Sequence, residues 1–341
     1  MTISIGLVGV RGFGEKRARS FLKNPKAVLS RCFHPDKLVC EEAAKNLGCK
    51  PSRSFEEILE DLNVEAVVIS TPTPLHFEQI QAAIRSGKHV FVEKPMVLRL
   101  QEGLALQKDL ANFQKVFMVG HNYRRKKGIR LLKKMLASGQ LGSPVSFEIH
   151  FSHGGGFNFQ PNQWRWNASL CPGGPLSMLG THAFDVLEYL GGSVKTVQSR
   201  VHKLYAATEA EDTTSHLIEM NSGATASVAN HYIVPSFSRV WVAGTEGIAW
   251  WDGFENRVYY RIGRDIDRKP SPLHSQEVEE DDLLTGESDE FLRCIAEGQK
   301  PETGYSEGLR AVAFVHAALE ANRNSKKIFF EDYLKAEGSC R

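Results

Sequence analysis

The sequence lacks the features by which several large classes of protein are recognised. No apolar run reaches the roughly 20 residues that a helix needs to cross a bilayer, because charged residues interrupt each candidate. The formal net charge is only +2 over 341 residues, without the cationic excess that attracts nucleic acid or anionic lipid. We therefore expect neither a membrane span nor a nucleic-acid partner, and a small-molecule ligand is favoured.

Cysteine is also scarce. The six cysteines, at positions 32, 40, 49, 171, 294 and 340, form no CxxC pair and no cluster with histidine. A zinc site or a disulfide framework needs such spacings, so we expect no bound metal and thiols that stay reduced, as in the cytoplasm. The opening run MTISIGLVGV has no basic region before it, which predicts a buried strand and not an export signal.

The first third of the chain alternates short apolar runs with segments of helical spacing. Strands are predicted over residues 3–8, 27–33, 64–70, 89–92 and 116–119. Between them apolar residues recur every three or four positions, as on one face of a helix. This alternation indicates an α/β domain with a doubly wound parallel sheet covered by helices.

After residue 121 the pattern changes to that of an antiparallel sheet. In the run 145–152 apolar residues at odd positions alternate with polar ones at even positions, as in a strand with one buried face. Further strands are predicted at 194–203, 214–220, 224–232, 239–243 and 257–262, with a loop at 263–282 and a closing helix at 307–322. We therefore predict two domains, 1–121 and 122–341, the second an α+β domain with a large, mainly antiparallel, open-faced sheet.

A glycine-rich turn follows the first predicted strand, with the sequence Gly9-Val10-Arg11-Gly12-Phe13-Gly14. Such a turn between a strand and a helix lets backbone N–H groups approach a pyrophosphate, with the helix N-terminus behind its charge. The spacing departs from G-x-G-x-x-G, because Arg11 stands where the second glycine is expected and Gly12 follows it. On spacing alone, dinucleotide binding and a tight turn that serves only helix packing both remain open.

The tip of the second predicted strand bears on the choice between NAD and NADP. An acid at this position accepts a hydrogen bond from the ribose 2′-OH of NAD. This chain has His34 there, and the nearest carboxylate is Asp36. Arg11 and His34 both suit a 2′-phosphate, although both also suit solvent. The sequence therefore favours NADP over NAD without excluding NAD.

Four further motifs complete the pattern. They are Thr-Pro-Thr-Pro-Leu-His at 71–76, Glu-Lys-Pro at 93–95, Gly-His-Asn-Tyr-Arg-Arg at 120–125 and Gly-Thr-His-Ala-Phe-Asp at 180–185. Together and in this order they resemble the glucose-fructose oxidoreductase, inositol dehydrogenase and MocA family over nearly the whole chain. The resemblance implies a Rossmann domain that binds NAD(P) and a hydride transfer between nicotinamide C4 and a carbinol carbon. It leaves a sugar, a cyclitol and a nucleotide-sugar open as substrates, and it implies a homodimer or homotetramer.

The resemblance also assigns residues of the first domain to the cofactor. The turn that contains Thr71, Thr73 and His76 is similar to the one on which the nicotinamide rests. Glu93 is similar to a residue beside the nicotinamide ribose. Lys94 is similar to the family lysine whose ammonium contacts the reacting oxygen, where it stabilises developing negative charge.

His182 is similar to the general acid/base of the family, and imidazole suits that task because its pKa lies near neutral pH. Asp185 follows about one helical turn later, where we expect it to orient the ring or to bind a substrate hydroxyl. The family usually has an aspartate four residues before the histidine, but this chain has Met178. A thioether can neither fix the imidazole tautomer nor stabilise imidazolium. Met178 therefore keeps an alternative open, a non-catalytic NAD(P)-binding regulatory protein of the same fold.

Aromatic and basic residues are the candidates for substrate binding. Tyr123 and Arg124 follow the predicted domain boundary, and Trp164 and Arg165 lie in the long segment 154–174. A loop of that length inside a compact domain is more often functional than idle. Aromatic faces with an arginine suit a polyhydroxylated ring or a phosphate. The alternative is that the tryptophans only hold the loop against the sheet.

Overall fold

The computed structural model describes residues 2–339, so Cys340, one of the six cysteines, lies outside the described part. The chain forms two compact units. The first contains residues up to 122 together with 282–312, and the second contains 123–281 and the residues from 313 onward. The sequence predicted a division at residue 121, and no pattern in it indicated that 282–312 belong to the first unit.

The described strands, in chain order, are β1 (Ile3–Val8), β2 (Ala27–Phe33), β3 (Lys50–Pro51), β4 (Ala66–Ile69), β5 (His89–Val92), β6 (Phe117–Val119), β7 (Pro144–Ser152), β8 (Val194–His202), β9 (Thr213–Met220), β10 (Thr225–His231), β11 (Phe237–Gly244), β12 (Gly247–Asp252), β13 (Arg257–Ile262), β14 (His274–Glu277) and β15 (Ile328–Phe329).

The described α-helices are α1 (Phe13–Leu22), α2 (Lys37–Leu47), α3 (Phe55–Glu60), α4 (His76–Arg85), α5 (Leu100–Leu110), α6 (Lys127–Ala137), α7 (Thr181–Gly191), α8 (Leu283–Glu297), α9 (Tyr305–Asn324) and α10 (Phe330–Ser339). Short 3₁₀ turns lie at Thr73–Leu75, Tyr123–Arg125, Gly155–Asn158 and Trp164–Trp166, and a π-helical turn lies at Leu176–Gly180. Among residues 2–339 no helix combines the length and the hydropathy that a membrane span requires.

The first unit is built on a parallel sheet with the strand order β3-β2-β1-β4-β5-β6. The predicted doubly wound parallel sheet is confirmed. Its central strands are buried on both faces, and β4 consists of four fully buried apolar residues for that reason. The strand β3 was not predicted, because its two exposed residues carry no apolar pattern.

An aromatic cluster explains why 282–312 belong to the first unit. Phe291 of α8 makes edge-to-face contacts with Phe21 of α1 and Phe91 of β5, at centroid distances of 6.0 and 5.6 Å. Phe21 and Phe91 are themselves 5.8 Å apart. All three rings are fully buried, so α8 completes the core that α1 and β5 begin.

The second unit is built on a nine-stranded sheet with the order β14-β13-β12-β11-β7-β10-β9-β8-β15. Its neighbours are antiparallel except for β7 and β10, which run parallel. The predicted mainly antiparallel sheet is confirmed. Along β7, Phe147, Ile149 and Phe151 are buried while Glu148 is exposed, as the alternation predicted. The two ends of the run differ from it, because Val145 is half exposed and Ser152 is buried.

The predicted loop at 263–282 is only partly correct, because it contains β14. This strand has four exposed polar residues and pairs with β13 through its backbone. An edge strand of this kind has no buried face, so no alternation of apolar residues marks it. The predicted closing helix corresponds to α9, which begins two residues earlier and ends two residues later.

Candidate active site

The glycine-rich turn between β1 and α1 depends on close approaches of the backbone. A Cβ on Gly9 would lie 2.5 Å from the carbonyl oxygen of Ser70, and Gly9 has a φ of 88°. A Cβ on Gly14 would lie 1.8 Å from the carbonyl oxygen of Gly9. Both positions therefore require glycine, and the packing role that the sequence left open is present.

Gly12 differs from these two, because a Cβ there would meet nothing within 4 Å. Gly12 has a φ of 57°, stands at the N-cap of α1, and no side chain caps this helix end. Arg11 and Phe13 on either side are exposed. An uncapped helix start with open space beside it suits the oxygens of a pyrophosphate, which the first N–H groups and the helix dipole bind. The turn thus fits a dinucleotide.

The tip of β2 presents an imidazole. Nδ1 of His34 accepts a hydrogen bond from the backbone N–H of Asp36 at 3.1 Å. The carboxylate of Asp36 accepts one from the N–H of Val39 at 3.2 Å and caps α2. The nearest acid therefore serves as a helix cap, as short acidic side chains often do.

The turn over 71–76 is tied to the segment after β5 by a buried imidazole. The two ring nitrogens of His76 lie 2.9 Å from the carbonyl oxygens of Thr71 and Pro95. Burial lowers the pKa of His76. The side chain is therefore occupied by the protein, and His76, predicted among the cofactor ligands, links the two segments. Thr73 is buried as well.

Lys94 follows β5 at the carboxyl edge of the parallel sheet. Gly9 follows β1 and Thr71 follows β4 at the same edge, where α/β folds bind their ligands. Lys94 is partly exposed, whereas Glu93 and Pro95 on either side are buried. The peptide bond between Lys94 and Pro95 is cis.

Glu93 binds a buried arginine. Its Oε1 accepts a hydrogen bond from Nε of Arg17 at 2.7 Å, and Nη2 of Arg17 lies 2.6 Å from Oε2 of Glu287. Burial by itself lowers the pKa of Arg17, but the two carboxylates raise it, and the net shift is upward. The sequence analysis missed Arg17 and Glu287. The available signal was an arginine at helical spacing with Ala18 and Phe21 on the buried face of α1.

In the second unit His182 stacks on Tyr123. Their ring centroids are 4.0 Å apart with an interplanar angle of 13°. Tyr123 also makes an edge contact with Phe151 at 5.0 Å. Burial raises the pKa of Tyr123, which keeps its hydroxyl protonated. The stack fixes the plane of the imidazole by packing.

Asp185 and Arg124 bind each other. Nε and Nη2 of Arg124 lie 2.9 and 2.5 Å from the two carboxylate oxygens of Asp185. Both side chains are buried. This bidentate pair engages both oxygens of Asp185, so the carboxylate that we expected to orient His182 or to bind a substrate hydroxyl is held by Arg124.

Met178 lies in the π-helical turn Leu176–Gly180 that precedes α7. Hydrogen bonds in such a turn span five residues instead of four, and such turns are frequent at functional sites. The α-helical spacing that relates Met178 to His182 in the sequence therefore does not hold locally. Sequence alone gave no sign of this turn.

Trp164 and Arg165 form part of a 3₁₀ turn, with the guanidinium carbon of Arg165 4.5 Å from the centroid of the Trp164 indole. Both side chains are partly exposed. The carbonyl oxygen of Trp166 accepts hydrogen bonds from the N–H groups of Glu209 and Ala210 at 2.9 and 3.0 Å. The backbone thus anchors this loop, while the indole and guanidinium groups keep exposed surface. No group of histidine, cysteine and acidic residues that could hold a metal occurs in residues 2–339.

Comparison with known families finds two matches. Residues 3–121 match the description "Oxidoreductase family, NAD-binding Rossmann fold". Residues 129–250 match "GFO/IDH/MocA C-terminal domain". The two matches together cover most of the chain in the order that the sequence motifs predicted.

Individual proteins show the same likeness. Levoglucosan dehydrogenase of Pseudarthrobacter phenanthrenivorans is 28% identical over 209 residues, which cover 58% of this chain and 53% of that protein. The chain thus spans about half the length of this curated relative. Among solved structures, a putative NADPH-dependent oxidoreductase from Desulfitobacterium hafniense is 25% identical with a TM-score of 0.89 over 97% of this chain and 98% of its own. A levoglucosan dehydrogenase in complex with NADH is 21% identical with a TM-score of 0.90 over 97% and 99%, which shows a shared fold.

Proposed function

Because the chain belongs to the GFO/IDH/MocA family of oxidoreductases, we propose that it is an NAD(P)-dependent dehydrogenase or reductase acting on a CH–OH group. The observation that carries this proposal is the carboxyl edge of the first sheet, where an uncapped glycine turn follows β1 and Lys94 follows β5, with only β4 between these two strands. We further propose a sugar, cyclitol or nucleotide-sugar as substrate. The similarity to a levoglucosan dehydrogenase supports a polyhydroxylated compound.

The residues of each unit have separate roles in the proposed reaction. A bound nicotinamide dinucleotide supplies C4 as hydride donor or acceptor. The N–H groups around Gly12 bind its pyrophosphate, and the ammonium of Lys94 donates a hydrogen bond to the substrate oxygen and stabilises negative charge on it. His182 takes the hydroxyl proton or returns it. We place this transfer at Nε2, because Nδ1 of His182 is buried.

In the second unit, Trp164 and Arg165 are proposed to bind the substrate through the exposed parts of the indole and the guanidinium group. Tyr123 supports His182 by stacking on its ring. The Arg124–Asp185 pair anchors α7, the helix that carries His182. An aromatic face packs against the C–H groups of a sugar ring while a guanidinium binds its hydroxyls.

NADP is the proposed cofactor, with NAD as the alternative. Support comes from His34 at the tip of β2, which has no carboxylate there, and from the exposed Arg11. The cap of α2 uses one carboxylate oxygen of Asp36, and its other oxygen keeps NAD as the alternative. Fluorescence titration with NADPH and NADH measures both dissociation constants, and tighter binding of NADH would overturn this choice.

Turnover is the test of the catalytic proposal. The purified protein is incubated with oxidised cofactor and a panel of sugars and polyols, and absorbance of the reduced nicotinamide is followed. Lys94→Ala is expected to abolish the signal while it retains dinucleotide binding. Lys108→Ala changes an exposed lysine at the end of α5 and serves as the control.

The alternative function is a regulatory protein that binds NAD(P) without turnover. Met178, in place of the family aspartate, is the observation that favours it. Dinucleotide binding with no turnover by the wild-type protein across the whole panel would support this alternative against the enzyme.

We also propose a cytoplasmic homodimer or homotetramer that associates through the sheet of the second unit. Trp241, Trp250 and Tyr259 lie opposite one another on β11, β12 and β13 and are partly exposed. Leu217 of β9 is 58% exposed. Leu217 is in the same row as Trp241 but is separated from it by Glu148 and Ser227. The row of three neighbouring aromatic side chains is therefore the exposed apolar surface that indicates an interface. Light scattering on the wild type and on Trp241→Glu tests this, and a wild-type monomer would refute it.

A further inference from the structure

We propose that Arg17, together with Glu287, is a positioning residue that holds the carboxylate of Glu93 and thereby fixes the direction in which Lys94 leaves the sheet. This inference rests on the proposed function of Lys94. The three side chains Arg17, Glu93 and Glu287 are called the clamp below.

In the clamp, each of the three nitrogen atoms of the Arg17 guanidinium donates a hydrogen bond to a different acceptor. Nε donates to Glu93 at 2.7 Å, Nη2 to Glu287 at 2.6 Å, and Nη1 to the carbonyl oxygen of Leu284 at 3.0 Å. The Arg17 side chain is fully buried, as is that of Glu287, and that of Glu93 is 8% exposed. A planar fork with three fixed acceptors holds each partner in one orientation.

Packing holds the guanidinium in place as well. Its carbon atom lies 4.5 Å from the ring centroid of Phe91, two residues before Glu93 on β5. Phe91 belongs to the aromatic cluster with Phe21 and Phe291. The clamp is therefore attached to the buried aromatic core of the first unit and has little freedom to shift.

The segment next to Lys94 is held on both sides. On one side the N–H of Glu93 donates to the carbonyl oxygen of Ile69 at 2.9 Å, and its carboxylate binds Arg17. On the other side the carbonyl oxygen of Pro95 lies 2.9 Å from Nδ1 of His76. Gly120 leaves room for the carboxylate, because a Cβ there would lie 3.0 Å from Oε2 of Glu93. Lys94 is the partly exposed residue between these attachments.

If the clamp only stabilised the fold, apolar side chains would serve better than three buried charged groups. Two buried carboxylates on one guanidinium incur a desolvation cost that apolar side chains of similar volume would avoid. The ion pairs do supply a fixed orientation, which catalytic groups need, since a displacement of about 1 Å lowers turnover by about 100-fold. Arg17 also stands four residues after Phe13, the first residue of α1. Its guanidinium carbon lies 5.9 Å from the ring centroid of Phe13. One side chain thus lies near the residue that follows Gly12 and also binds Glu93, the residue before Lys94.

The test uses the double variant Arg17→Met/Glu287→Gln, which removes the guanidinium and neutralises one carboxylate, so that two unpaired buried charges do not prevent folding. Arg19→Met is the matched control, because Arg19 lies on the same helix in an exposed pair with Glu15. Four quantities are compared with the wild type: the thermal midpoint, the NADPH dissociation constant, kcat and KM on the best panel substrate, and amide hydrogen exchange over residues 93–97.

In the folded double variant we expect kcat to fall by about 100-fold with a small change in the KM of the substrate. Amide exchange over 93–97 is expected to rise by about tenfold, and Arg19→Met is expected to change neither. The conservative variant Arg17→Lys keeps the charge and is expected to recover part of kcat. A lowered thermal midpoint with kcat within about threefold of the wild type would overturn the inference, because it would show a structural role alone.

Failure of the proposed function gives a different result. A wild-type protein that binds NADPH but oxidises no compound of the panel would refute the enzyme, whatever the clamp variants do. Unchanged amide exchange over 93–97 in the double variant would refute the clamp even if the wild type is an active enzyme.

Discussion

Replacing Gly14 with alanine tests the geometry on which dinucleotide binding depends. The new Cβ would lie 1.8 Å from the carbonyl oxygen of Gly9, whereas real Cβ contacts do not fall below 3.0 Å. The backbone of the turn and α1 must therefore separate by about 1.2 Å, the difference between these distances. Overpacking of this kind costs about 1–3 kcal/mol, and the obstacle is backbone that has no alternative rotamer.

The clash and the helix propensity change the free energy of unfolding in opposite directions. Alanine is favoured over glycine inside a helix by about 1 kcal/mol. Because the clash is with backbone, we take its cost as about 3 kcal/mol, and after the gain of about 1 kcal/mol in helix propensity we expect a net destabilisation of about 2 kcal/mol. We also expect at least about tenfold weaker NADPH binding, because the displaced turn no longer directs its N–H groups at the pyrophosphate.

Gly286 provides a control with the same substitution. It is exposed within α8, and a Cβ there would meet nothing within 4 Å. Gly286→Ala is expected to stabilise the protein by about 0.5–1 kcal/mol through the unfolded chain and helix propensity. Urea unfolding and NADPH titration are run on both variants. Wild-type affinity and stability in Gly14→Ala would refute the close approach of α1 to β1.

Three other outcomes are expected. His34→Asp places a carboxylate at the tip of β2, where it repels a 2′-phosphate, so the ratio of the NADPH and NADH dissociation constants should move towards NADH; an unchanged ratio would exclude His34 from the cofactor site. Met178→Asp should retain turnover on the panel, and a large loss in a folded variant would contradict the proposed place of this residue near His182. Phe291→Ala removes a ring from contact with Phe21 and Phe91 and should lower the free energy of unfolding by about 3–5 kcal/mol; an unchanged urea midpoint would contradict the aromatic core.

The sequence predicted those parts of the fold that have a periodic apolar pattern. The strands 3–8 and 89–92 were predicted with the bounds that the structure has, because buried parallel strands are short apolar runs between turn residues. The alternation along 145–152 predicted β7 because a strand with one buried face has an apolar residue at every second position. The family resemblance was also confirmed by the matches over 3–121 and 129–250.

The parts that the sequence did not predict depend on pairing between distant residues. Arg17 binds Glu93 and Glu287, which are 76 and 270 positions away, and no local pattern marks such a pair. Asp185 was placed correctly on a helix with His182, but its partner is Arg124, 61 positions earlier. A charged side chain in a helix is expected to face solvent unless its partner is known. Buried ion pairs between distant residues therefore cannot be predicted from the local sequence.

Because residues 282–312 belong to the first unit, the core of that unit cannot be completed until these residues have been synthesised. Residues 2–122 are synthesised before α8. Until α8 follows, Phe21 and Phe91 lack their contacts with Phe291, and Arg17 lacks its ion pair with Glu287. The interval is the time needed to translate residues 123–281, the larger part of the second unit. A gene fragment that ends near residue 122 would encode all six strands of the first sheet but not the helix whose Phe291 contacts Phe21 and Phe91.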